Sequence, residues 1–184
     1  LHSFPTRRSS DLWIIAKFGG SSVADAIQIG KIKDIVCADQ DRRYVVVSAP
    51  GKRFDDDSKV TDLLYLCKTH IEHNLPHEQL FQVICDRFMA AEVTLGAKLD
   101  LKTEFKTIEN NMKNGASADY IASRGEYLNA KMIASYLDYD FIDAANIIVF
   151  NEKGKFKVDA TDKKIREVLK NHKTAVIQIG RAHV

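Results

Sequence analysis

The run Lys17-Phe18-Gly19-Gly20-Ser21-Ser22 places a mobile cation, two residues without side chains and two hydroxyls in consecutive positions. Glycines let the backbone approach a ligand closely, N–H groups at a helix start favour an anion, and a lysine can follow phosphate oxygens. The chemistry on offer is phosphate binding. The same run also fits a plain strand-to-helix turn, because it matches neither GxxxxGK[ST] nor GxGxxG. Ser48 ends an apolar run, Val45-Val46-Val47-Ser48-Ala49-Pro50-Gly51-Lys52, where a hydroxyl either meets a ligand or terminates a strand. In Lys59-Val60-Thr61-Asp62-Leu63-Leu64, Thr61 and Asp62 stand near a helix start, where capping is the default use. Ser123-Arg124-Gly125-Glu126-Tyr127-Leu128-Asn129-Ala130 holds a glycine inside a helical pattern. That glycine costs about 1 kcal/mol relative to alanine, so it calls for close packing or ligand approach. Glu126 is either an acid facing a ligand or a solvated residue paired with Arg124 or Lys131.

Other clusters point to less. His70, His73 and His77 are close in sequence, but Pro76 interrupts a shared helical face, so they read as a solvated helix end rather than a metal site. Asp55-Asp56-Asp57 reads as a solvated loop. No metal ligands are assigned, and no Ser-His-Asp or Cys-His arrangement has its nucleophile in an elbow. Cys37, Cys67 and Cys85 lack CxxC spacing and read as buried, reduced thiols. With 45% hydrophobic and 28% charged residues the chain has the balance of a globular protein. No apolar run reaches the roughly 20 residues of a membrane span, and a formal charge of +2 gives no ground for a nucleic-acid partner.

The elements that must hold these residues follow from spacing. Residues 13–18 and 44–49 read as buried strands around a helix from Ser22 to Ala38, a βαβ unit that favours a parallel sheet. Helices are expected at about 59–73, 77–95, 100–113 and 117–139, with strands at 141–143 and 147–150 and a further one at 155–158. A helix over 161–171 and a last strand at 174–178 complete an α/β class with helices covering a mainly parallel sheet.

The two ends stand apart. LHSFPTRRSSDL is rich in Arg and Ser but has neither the apolar core of a secretory signal nor the length of a transit peptide. Back-translation of Phe4–Asp11 and of Ile179–Val184 reproduces a common sequencing adapter. Residues 1–12 and 179–184 are therefore expected to be non-native, and the native protein to continue beyond Gln178. Setting them aside removes three of 27 basic and one of 25 acidic residues, leaving 24 of each and no net charge.

In order and combination, KFGGSSVAD, VVVSAPGK, KVTDLL and SRGEYLNA resemble the amino-terminal half of the aspartate kinase catalytic domain, over residues 13–178. The resemblance implies an amino-acid-kinase-like three-layer αβα sandwich, mainly parallel and incomplete at its C-terminal side. It implies transfer of the ATP γ-phosphoryl group to the β-carboxylate of L-aspartate, giving 4-phospho-L-aspartate on the way to lysine, threonine and methionine. It assigns Lys17 to catalysis and, with Gly19, Gly20 and Ser21, to phosphate binding; Ser48, Thr61 and Glu126 would hold aspartate. Mg²⁺ would accompany ATP through its phosphates. A cytoplasmic, homo-oligomeric parent is implied. The family's later GRGGSD segment is absent, so this chain is expected to lack turnover and its sheet to end on an uncovered strand. Glutamate, acetylglutamate or carbamate kinases, and a non-catalytic binding domain of the same fold, are the alternatives.

Overall fold

A computed structural model describes residues 13–178; the ends assigned above to adapter lie outside the described residues. Four short runs form its sheet: β1 (Ile15–Phe18), β2 (Tyr44–Val47), β3 (Asp140–Asp143) and β4 (Ala175–Gln178). All are parallel, in the order β1-β2-β4-β3, with Lys17 opposite Val46 and Val46 opposite Ile177. Every residue of β2 is buried, as a parallel strand covered on both faces requires.

Side-chain alternation along the strands divides the core. Val45, Val47 and Val176 pack against α1 (Ala26–Cys37) and α5 (Ala118–Leu137) through Ile29, Ile32, Ile133 and Ala134. Tyr44, Ala175 and Ile177 turn to the opposite face, against Ile165, Val168 and Leu169 of α6 (Val158–Leu169). Helix, sheet and helix make the expected three layers. The remaining helices, α2 (Val60–Glu72), α3 (Glu78–Leu95) and α4 (Leu101–Lys113), close a second core with α5 around Leu64, Ile84, Phe105 and Leu128. Each fully buried large aliphatic contributes about 1.5–3 kcal/mol. Helix α5 serves both cores, so its position sets that of everything it touches.

The first helix begins at Ala26 rather than Ser22, because Asp25 accepts the Gln28 N–H at 2.9 Å and makes the better cap. Gly20–Val23 forms a 3₁₀ turn instead. Neither 147–150 nor 155–158 is a strand; Phe150 and Phe156 make one antiparallel bridge around a turn closed by the Asn151 side chain. Helix α6 starts at Val158, and buried Thr161, expected near its cap, accepts the Val149 N–H at 2.9 Å. The last strand is not an edge. β4 lies between β2 and β3, and the uncovered edges are β1, where Ile15 is 64% exposed, and β3.

Candidate active site

The turns after β1 and β2 press directly on each other. The Ser48 N–H donates to the Phe18 carbonyl at 3.1 Å and the Gly51 N–H to the Gly20 carbonyl at 2.9 Å. A Cβ on Gly51 would fall 2.7 Å from the Gly20 carbonyl carbon, and one on Gly20 would fall 3.3 Å from the Ala49 oxygen. Only glycine fits Gly51, because backbone, not a movable side chain, stands in the way. Beside Gly19 an added Cβ would meet nothing within 4 Å.

Where these turns meet the start of α2 a cavity of about 380 Å³ opens, lined by Gly20, Ser21, residues 49–52, Lys59 and Thr61. Lys59 and Thr61 at the start of α2 line it, while the Val60 N–H between them donates to the Pro50 carbonyl at 3.1 Å. Lys59 holds the cap position without a side-chain capping bond, so Thr61 lies inside the helix and is not its cap. A cation at a helix N-terminus opposes the macrodipole, and an anion beside it would relieve both charges. Lys52, with Nζ 2.8 Å from the Asp55 carbonyl oxygen, brings a second cation to the same wall. By contrast the start of α1 is closed by its own Asp25. The start of α1 is thus taken by its own side chain and lies outside the cavity lining, whereas Gly20 and Ser21 of the preceding 3₁₀ turn are part of it.

Helix α5 approaches from the other side. A Cβ on Gly125 would lie 2.9 Å from Val60 Cγ1 and 3.0 Å from Ala49 Cβ, so this glycine seats α5 against α2 and the second turn. Close packing explains it. Half-buried Glu126 follows on the same turn of helix, and fully buried Asn129 donates from Nδ2 to the Ser48 carbonyl at 2.7 Å. Lys131 pairs with Glu104, and the Arg124 guanidinium lies 4.3 and 4.5 Å from the Tyr120 and Tyr127 ring centres.

Among the residues singled out from sequence, Gly20, Ser21 and Thr61 line the cavity. Gly19 precedes the 3₁₀ turn, exposed Lys17 is on β1, half-buried Ser48 directly follows β2, and Glu126 is on α5. None of these four is among the lining residues. Lys52, Lys59 and Asn129 were missed, although all three stand within the motifs themselves. Asp57 corrects the reading of its loop: it is 9% exposed and takes Arg53 Nε at 2.7 Å and Arg53 Nη2 at 2.9 Å. That side-chain bond with Arg53, and then the backbone N–H groups and Arg87, hold its carboxyl well below the usual carboxylate range. His77 is buried, with Nε2 3.2 Å from Glu109, and is not part of a solvated end. Cys67 and Cys85 are buried and their thiols are pushed up to about 11 and about 12, but Cys37 is exposed. Among the described residues no group of three His, Cys, Asp or Glu could hold a metal ion, and no helix is long and apolar enough to cross a membrane.

Known proteins share this fold. Aspartokinase 3 of Bacillus subtilis is 36% identical over 157 residues, 78% of this chain and 35% of that protein. The chain thus spans about a third of that relative's length. The crystal structure of Clostridium acetobutylicum aspartate kinase superposes with a TM-score of 0.87 at 42% identity, over 91% of this chain and 38% of that one. Escherichia coli aspartokinase III, solved in complex with aspartate and ADP, shares the fold, with a TM-score of 0.69 and 20% identity over 90% of this chain and 40% of its own. Residues 13–181 match the model of the amino acid kinase family. With a parallel sheet between helices, and paired glycine turns closing on one cavity at the strand ends, the chain belongs to that family.

Proposed function

We propose that the chain is the amino-terminal part of an aspartate kinase catalytic domain, which transfers the ATP γ-phosphoryl group to the β-carboxylate of L-aspartate. One observation carries this: the glycine turn, the Ser48–Gly51 turn and the uncapped start of α2 meet at a single cavity bearing Lys52 and Lys59. Both reactants are anions, so the site must neutralise charge and align them. Gly20 and Ser21 offer donors at the cavity wall, and exposed Lys17 on β1 follows the transferring group. Thr61 and Ser48 bind the aspartate, whose ammonium group Glu126 receives. Mg²⁺ neutralises the nucleotide phosphates and is held through them; no residue of this chain is assigned to it. The 36% identity to an aspartokinase, with VTDLL and SRGE in place, favours aspartate over glutamate, acetylglutamate or carbamate. The parent enzyme is taken to be a cytoplasmic homo-oligomer, and turnover to require the GRGGSD segment that this sequence lacks.

Calorimetric titration of the chain with L-aspartate, and separately with ADP, tests this. Replacing Glu126 with Ala removes a charged hydrogen bond worth about 1.5–3 kcal/mol and should weaken aspartate roughly ten- to hundredfold while sparing ADP. Aspartate binding unchanged by Glu126→Ala would refute the assignment, and stronger binding of glutamate would favour the neighbouring kinases.

A further inference from the structure

Arg87 lies on α3, a helix that adds no residue to the cavity, and its side chain is 6% exposed. A guanidinium withdrawn this far from water needs fixed partners. It finds them on three separate stretches of chain. Nη1 donates to the Ser58 carbonyl at 2.7 Å, while Nη2 donates to the Gly51 carbonyl at 2.7 Å and the Ala24 carbonyl at 3.3 Å. Nη1 also stands 3.6 Å from Asp57 Oδ2, and Asp57 in turn grips Arg53. Ala24 directly follows the 3₁₀ turn of Gly20 and Ser21, Gly51 is the second turn itself, and Ser58 precedes Lys59 and Thr61. One side chain thus joins the three segments that wall the cavity.

We propose that Arg87 and Asp57 form a charged clasp that sets the spacing between the glycine turn, the Gly51 turn and the start of α2, and so positions Ser21, Lys59 and Thr61. Arg87 acts on this cavity through these segments and is not among the residues that line it, although it borders a separate cavity of about 600 Å³. Plain stability is a poor reason for it, because apolar residues often replace a buried ion pair without loss. Its Nε has no hydrogen-bond partner, so the group is held by its forked end. That fork reaches three carbonyls from two nitrogens held in one rigid plane, a geometry that a lysine ammonium, with all its donors on one nitrogen, does not reproduce and an apolar side chain lacks altogether. The identity of the ligand so positioned rests on the aspartate kinase reading; the clasp does not.

Amide hydrogen exchange followed by NMR on the 184-residue chain tests the clasp without any ligand. The Gly51 N–H, bonded to Gly20, and the Val60 N–H, bonded to Pro50, report the closed turns. Arg87→Lys keeps the charge and Asp57→Asn keeps the shape, so both leave the packing around the clasp close to that of the wild type and should fold. In each, exchange at Gly51 and Val60 should quicken at least tenfold while Met132 and Ile133 on α5 stay within about twofold. Equal acceleration everywhere, or none at the two turns, overturns the proposal. Titration with L-aspartate gives a second readout: Arg87→Lys should weaken binding about tenfold, non-additively with Thr61→Ala. Additive effects would show that Arg87 does not act through the start of α2. A wild-type chain that binds neither L-aspartate nor ADP would refute the functional reading, and the exchange comparison would still decide the clasp.

Discussion

Replacing Gly51 with Ala would test the contact on which the cavity depends. The new Cβ would stand 2.7 Å from the Gly20 carbonyl carbon, 2.9 Å from its oxygen and 3.0 Å from the Ser21 nitrogen. Ordinary contact begins at about 3.4 Å, so the two turns must part by roughly 0.5–1 Å. Overpacking of this kind costs about 1–3 kcal/mol, and loss of the 2.9 Å bond from Gly51 to Gly20 adds about 0.5–1.5 kcal/mol. A total of roughly 2–4 kcal/mol leaves a domain of ordinary stability folded but lowers its Tm by about 5–15 °C. The same parting moves Gly20 and Ser21 away from Thr61, so ligand binding should weaken more than tenfold at temperatures where the fold is intact. Gly19→Ala is the control: open space around the new methyl should hold the stability change within about 0.5 kcal/mol. Calorimetric melting of both variants, with titration at 20 °C below each midpoint (about that margin suffices), decides the matter. A Gly51→Ala protein that melts within about 2 °C of wild type would show that the turns are not pressed together as described.

Two further outcomes follow from buried charges and thiols. Asp57 has a folded pKa lowered from its ordinary 3.8, so its contribution is fully present above that value and is lost as pH falls toward the folded pKa. Urea denaturation from about pH 6 down to pH 2.5 should therefore show a loss of stability below about pH 4 that Asp57→Asn flattens; an identical profile in the variant would contradict the pairing with Arg53. With Cys37 exposed and Cys67 and Cys85 buried, an aromatic disulfide reagent should label one thiol in the native chain and all three in denaturant. Rapid labelling of more than one native thiol would place Cys67 or Cys85 outside the core.

How much of this was legible beforehand varies residue by residue. The unbroken valines of β2, the helical spacing of α2 to α5 and the glycine turn could all be read locally, because periodicity and turn chemistry act over a few neighbouring residues. Local reading was weaker where signals competed. Asp25 outranked Ser22 as a cap, and of the apolar residues 147–150 only Phe150 pairs, in a single bridge rather than a strand. Asp57 looked like one more solvated acid because nothing beside it in sequence shows that Arg53 curls back over it and Arg87 reaches it from α3.

By itself, then, the sequence determined the α/β class, the motif residues and their likeness to one family, since each depends on residue type and short-range spacing. Only the tertiary structure decided that β4 is interior and that Gly51 abuts Gly20. It also decided that Gly125 is a packing residue and that Arg87 joins Ala24, Gly51 and Ser58 across separations of up to 63 residues. The physical reason is that strand order, close backbone approach and the partners of a buried charge arise when distant segments close on each other. The spacing of residues along the chain carries no record of that closure.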